Sequence, residues 1–196
     1  NETPKLCADR LEYSLSNALF IYNVLDVKGI KEIYDDIEIQ KNEESVKELG
    51  FRTKEMAIKF VKLTSYLSIM YRQHKTRYSM QFLADVLRCL EKENKISKND
   101  LYTKKEKDIV KIMEESEYKN IFNIWINAEE KQIKTSQNKP QGKYYVRHGA
   151  KIRYIDPLIK GRRISIVSEN ARKMIEENLE YNMNSYVYMD EIETFM

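Results

Sequence analysis

Asp9, Arg10, Glu12 and Tyr13 stand in the run Lys5-Leu6-Cys7-Ala8-Asp9-Arg10-Leu11-Glu12-Tyr13, which gathers residue types used in metal and phosphate chemistry at the head of an otherwise apolar segment. On a helix Asp9, Tyr13, Ser16 and Phe20 share one face, Arg10 sits beside it, and Glu12 lies one turn along from Asp9. A carboxylate near a helix N-terminus among aromatic rings can ligate a metal or act as a base. The same Asp can equally stabilise the helix dipole or pair with Arg10, and the residues alone leave both readings open. The guanidinium of Arg10 has the geometry to orient a carboxylate or to grip a phosphate. Tyr13 either projects toward a substrate or packs in a core.

A second group lies further along. Lys139, Lys143, Arg147, Lys151, Arg153, Lys160, Arg162 and Arg163 are opposed within their stretch only by Asp156. Alternation puts Tyr144, Val146, Ala150, Ile152 and Tyr154 on one side of a strand or hairpin, and Tyr145, Arg147, Lys151 and Arg153 on the other. Such a basic face suits the phosphates of a nucleotide or of a nucleic-acid backbone, or is simply a solvated outer sheet face. His148 falls on the inward side, and His74, next to Lys75 and Arg77, falls in an exposed helix break. Neither histidine has a ligand partner at metal-site spacing, and no Gly-rich phosphate loop, Gly-x-Ser-x-Gly elbow or dinucleotide fingerprint is present.

The elements that must position these residues are mainly helical. The 196 residues contain 42% hydrophobic residues with only five Gly and three Pro, which supports a real core and favours helices over a many-stranded sandwich. The net charge of +3 is too small to imply wholesale wrapping of nucleic acid. Periodicity predicts helices over 5–25, with Pro4 in the first turn, over 30–37, over a short piece from Asn42 ended by Gly50, and over 53–72, 78–90, 104–115 and 118–130. The polar stretch 134–142 marks a boundary. Beyond it come the basic strand, a further strand around Gly161, a helix over 168–178 capped by Ser168, and a strand at Tyr186-Val187-Tyr188. The expected organisation is thus a helical region over 1–130 and a small α+β subdomain over 131–196. Cys7 and Cys89 are expected to be reduced thiols of a cytoplasmic protein, since no secretory leader and no apolar run near the ~20 residues of a membrane span is found.

The stretch Thr3-Pro4-Lys5-Leu6, then Ala8-Asp9-Arg10-Leu11-Glu12-Tyr13 and Ser16-Asn17-Ala18-Leu19-Phe20, resembles the last metal-ligand helix of HD-domain phosphohydrolases. Phe51-Arg52-Thr53, Tyr78-Ser79-Met80-Gln81, Asp100-Leu101-Tyr102, Tyr144-Tyr145-Val146 and Gly149-Ala150-Lys151-Ile152-Arg153-Tyr154-Ile155-Asp156-Pro157-Leu158 are similar to the C-terminal half of a bacterial branch of that family. The resemblance covers about residue 3 to about residue 190. It implies a helical bundle of HD-domain type holding one or two divalent metals through His, a His-Asp pair and a final Asp, with phosphoester hydrolysis by metal-bound water.

Only the final Asp carries over, onto Asp9. Neither His74 nor His148 is followed by Asp, and both come after Asp9, whereas the family's histidines precede it. The resemblance therefore implies a chain inactive alone, a divalent metal with ligands outside it, and a missing N-terminal half of the domain as partner. That half is also expected to cover Leu11, Leu15 and Leu19. A nucleotide or other phosphoester is the expected substrate, and Asp9, Arg10, Tyr13, Arg147, Lys151 and Arg153 are the expected site residues. Two other readings stand beside it: a non-catalytic nucleotide- or nucleic-acid-binding helical module, and a structural protein that packs against another copy of itself.

Overall fold

The computed structural model describes residues 3–196. Its elements run α1 (Ala8–Phe20), α2 (Val27–Asp35), β1 (Ile37–Lys41), β2 (Lys47–Phe51), α3 (Lys54–Arg72), α4 (His74–Lys92), α5 (Asp100–Thr103), α6 (Glu106–Glu114), α7 (Lys119–Ile126), β3 (Lys134–Ser136), β4 (Lys143–Val146), β5 (Leu158–Ile159), β6 (Arg162–Arg163), α8 (Ile164–Val167), α9 (Glu169–Glu180) and β7 (Tyr186–Glu193). About 52% of the residues are helical, so the chain is mainly α with a smaller β component. Two compact units divide it. The first takes the described residues up to Tyr71 together with Lys151–Tyr181, and the second takes Arg72–Ala150 with Asn182–Met196. This division differs from the split at 130/131 suggested by composition.

In the first unit, α1 forms where Leu11, Leu15 and Ala18 recur at three- and four-residue spacing, and those residues are at most 4% exposed. Leu11 and Leu15 are therefore already covered by their own unit, contrary to the expectation that they await an absent segment. Pro4 precedes α1 instead of opening it, because the chain enters the helix through Cys7 in extended conformation. Asp26 caps α2 by accepting from the Gly29 N–H at 2.7 Å.

The segment from Asn42 to Gly50 is not helical. It is the turn and second strand of a β1–β2 hairpin, with Ile37 opposite Phe51 and Lys41 opposite Lys47. Asn42 builds the turn, since its Oδ1 accepts from the N–H groups of Glu44 and Val46 at 3.0 and 2.9 Å. Gly50 is there for close approach: a Cβ would lie 2.8 Å from the Leu158 carbonyl oxygen. β2 pairs in parallel with β5, and β5 with β6 antiparallel, completing the sheet β1-β2-β5-β6. Ser168 caps α9 as expected, accepting from the Ala171 N–H at 3.3 Å. The core joins Leu6, Leu11, Leu15, Ile33, Phe51 and Phe60 to Ile159, Ile164 and Ile175.

The second unit has its own core of Tyr78, Phe82, Val86, Leu90, Met113 and Phe122 from α4, α6 and α7, closed by Tyr144, Val146, Val187, Met189 and Ile192. Its sheet has the order β3-β7-β4. β3 arises inside the stretch expected to be loop. The basic strand expected through Tyr154 ends at Val146, opposite Val187; β7 begins only one residue beyond that pair, at Tyr186, and so offers no partner to the residues from His148 on. The backbone groups beyond it bond elsewhere. The His148 carbonyl accepts from Arg77 Nη1 at 2.7 Å, and the Ala150 N–H donates to Met183 Sδ at 3.4 Å.

Candidate functional site

Asp9 lies in the first turn of α1 on the exposed side of the helix, as does Glu12, while Leu11 and Leu15 point into the core. Arg10 is half-buried, and its Nη1 donates to the Lys5 carbonyl at 3.2 Å and to the Tyr154 carbonyl at 3.5 Å. The guanidinium thus ties the N-terminal segment and the 153–155 segment to α1. Tyr13 stacks on Tyr71 at 6.2 Å, and Tyr22 meets the same ring at 5.9 Å. Asn17 Nδ2 donates to the Tyr71 hydroxyl at 2.7 Å. Burial pushes the phenols of Tyr22 and Tyr71 above their ordinary value, so both stay protonated across the neutral range.

Three of the expected site residues, Arg10, Tyr13 and Arg153, line one crevice between α1, α3 and the segment at Tyr154. Its volume of about 20 Å³ admits a water-sized group and no nucleotide. The crevice also brings Ser68 to this place, whose Oγ donates to the Arg153 carbonyl at 2.6 Å. The Arg153 side chain itself is exposed, as is Lys151.

The basic stretch is not one continuous strand, since β4 ends at Val146. Arg147 belongs to the second unit, whereas Lys151, Arg153 and Arg163 belong to the first. Arg147 donates from Nη1 to the Tyr186 hydroxyl at 2.7 Å and lies over that ring at 4.5 Å. Arg163 is buried and structural. Its Nη1 donates to Glu48 Oε1 at 2.7 Å, its Nη2 to Glu48 Oε2 at 2.9 Å, and its Nη2 also to Glu43 Oε1 at 2.9 Å. Burial alone would raise the Glu48 carboxyl, but the hydrogen bonds from Arg163, the Leu6 N–H and Asn42 hold it below its ordinary 4.5. Sequence reasoning missed Glu48 because its strand was read as helix. The signal available was the alternation of Ile37-Glu38-Ile39-Gln40 against Lys47-Glu48-Leu49 across a polar turn opened by Asn42.

Both histidines differ from expectation. His148 is exposed, since β4 has ended before it. His74 opens α4 half-buried, with its Nδ1 2.9 Å from Arg77 Nη2. A guanidinium only donates, so Nδ1 accepts and the ring is neutral with its proton on Nε2. Asp156, the lone acid of the basic stretch, accepts from the Ser165 N–H at 3.0 Å and hydroxyl at 2.5 Å, and so serves the turn into α8.

Among the described residues no three His, Cys, Asp or Glu side chains come together at a spacing that would hold a metal ion, so Asp9 does not by itself fit a metal centre. Among the described residues neither Cys7 nor Cys89 is joined in a disulfide. No helix of the described residues is long and apolar enough to cross a membrane. No protein-family model matches the chain, and no curated protein or solved structure is significantly similar to it.

Proposed function

We propose that this chain is the C-terminal portion of an HD-type metal-dependent phosphohydrolase, to which it contributes Asp9 as one carboxylate ligand of a divalent-metal site. The histidine and His-Asp ligands come from protein outside residues 1–196, and the substrate is a nucleotide or another phosphoester. The observation that carries this reading is the presentation of Asp9. Its carboxylate stands on the exposed side of a 13-residue helix whose opposite side is anchored in the core through Leu11, Leu15 and Ala18. A ligand shared with another segment needs that combination of outward display and rigid backing. Arg10 holds the head of the helix through backbone carbonyls and acts as a positioning residue for it. Of the expected phosphate-binding residues, Lys151 and Arg153 are exposed in this unit and would meet substrate phosphate.

The test is hydrolysis of p-nitrophenyl phosphoesters and nucleotides by the intact polypeptide with Mn²⁺ or Mg²⁺. Metal-dependent turnover is expected, with Asp9→Asn lowering it by about 10–100-fold or more, while residues 1–196 alone are inactive. Absence of hydrolysis by the intact protein with every divalent cation, or unchanged turnover in Asp9→Asn, would contradict the reading.

A further inference from the structure

A surface distant in chemistry from Asp9 offers a different kind of binding. In the three-stranded sheet of the second unit, one side carries Tyr144, Val146, Val187 and Met189, all at most 3% exposed and packed in the core. Alternation then sends Tyr145, Tyr186 and Tyr188 to the other side, where each is partly exposed. Register sets them in adjoining rows. Tyr145 is opposite Tyr188, which is opposite Lys134 on its other flank, and Tyr186 is opposite Ser136.

Cations are interleaved with these rings. Arg147 lies 4.5 Å over the Tyr186 ring, Lys139 lies 5.2 Å over the Tyr145 ring, and the Tyr145 and Tyr186 rings meet edge-on at 5.2 Å. Among the described residues neither Lys139 nor Arg147 is ion-paired with a carboxylate. The acids of the sheet are engaged further along: Asp190 pairs with Lys134, Glu193 with Lys143 at 3.9 Å, and Glu191 accepts from Gln132 at 3.0 Å.

We propose that this tyrosine face binds single-stranded nucleic acid, with bases stacked on Tyr145, Tyr186 and Tyr188 and backbone phosphates held by Lys139 and Arg147. The chemistry is that of a stacking platform. Every base has a π-face that an exposed phenol ring can take, and cations beside the rings meet the phosphates that follow each base. Lys139, on the loop between β3 and β4, occupies the Tyr145 ring through a long flexible side chain that can move to a phosphate when a base arrives. A duplex keeps its bases stacked on one another and has no use for such rings. The surface is not the single strand of Arg147, Lys151 and Arg153 expected from the sequence, and the proposal does not depend on the role of Asp9.

Fluorescence anisotropy with labelled oligothymidylate and oligouridylate, against a labelled duplex, tests it on the full chain. Single strands of one or both kinds are expected to bind, more weakly as salt rises, and the duplex to bind less well. Tyr145→Ala and Tyr188→Ala should each weaken single-strand binding at least about fivefold, and Tyr145→Phe and Tyr188→Phe should restore it. Arg147→Gln, a surface change that leaves the sheet hydrogen bonds in place, guards against loss of fold as the cause and should both weaken binding and flatten its salt dependence. No single-strand binding by the wild-type chain, equal binding of the duplex, or undiminished binding by folded Tyr145→Ala and Arg147→Gln variants would overturn the proposal.

Discussion

Glu48 and Arg163 show how far a charged residue's role depends on what the chain folds around it. Their side chains are 4% and 8% exposed, and their paired bonds join the β1–β2 hairpin to β6 while Glu48 also takes the Leu6 N–H at 3.0 Å. Removing one member of a buried pair strands the other, so Glu48→Ala is expected to cost about 3–5 kcal/mol in urea or thermal unfolding. The pair is also acid-sensitive. A carboxyl held below its ordinary 4.5 contributes stability that is fully present above that value and is lost as pH falls through the depressed one. The wild-type protein should therefore lose stability below about pH 4.5, and Glu48→Gln should show a shallower acid dependence.

His74 predicts a second effect at a milder pH. Burial, then the charge of Arg77, holds its imidazole below the ordinary 6.5, so the folded state prefers the neutral ring. Stability is expected to decline as pH drops below 6.5 toward the folded-state value, and proton NMR of His74 should show a midpoint under 6.5. A midpoint at or above that value would mean that Nδ1 does not accept from Arg77.

Among the elements, the long periodic helices were legible because their apolar spacing is the signal that packing uses: α3 and α4 contain the predicted 53–72 and 78–90 almost in full. The short strands were not. β5 and β6 contribute two residues each: β6 pairs only with β5, and β5 owes its place in the sheet to a partner far away in sequence, with Phe51 opposite Ile159, which no local pattern reports. Their turn is written in the backbone, with Lys160 at φ 50° and Gly161 at φ 73°, the left-handed pair that closes a tight hairpin. Gly161→Ala is expected to destabilise by about 1–2 kcal/mol because an L side chain is strained there, and a Cβ would also stand 3.3 Å from the Lys41 carbonyl oxygen. Equilibrium denaturation measures it, and a neutral result would show that the turn relaxes to another type. Gly50 carried a misleading signal, since a glycine ending a helix and a glycine admitting a neighbouring carbonyl look identical in sequence.

At the scale of the whole molecule, the chain supports two hydrophobic cores, each built within one unit, and the first is assembled from segments separated by about eighty residues of the second. A reading that moves along the chain places a boundary where composition changes. It cannot see the chain leave one core at Tyr71 and return to it at Lys151. The same limit applies to the candidate site. Asp9, Arg10 and Tyr13 were legible as a group because they share one helix, and the crevice adds Arg153 to Arg10 and Tyr13 through a contact distant in sequence. Arg147 was wrongly joined to Lys151 and Arg153 because a continuous strand was assumed where pairing stops at Val146. The tyrosine face of the other sheet escaped notice because β7 supplies two of its three rings and the alternation was read on β4 alone.

The claim that Asp9 ligates a metal is tested most directly by metal content. Elemental analysis and Mn²⁺ titration of the intact polypeptide, compared with its Asp9→Asn variant, should find stoichiometric divalent metal in the wild type and affinity reduced at least about tenfold in the variant. Metal-free wild-type protein that takes up no Mn²⁺, or a folded Asp9→Asn variant that holds metal as tightly as the wild type, would contradict it.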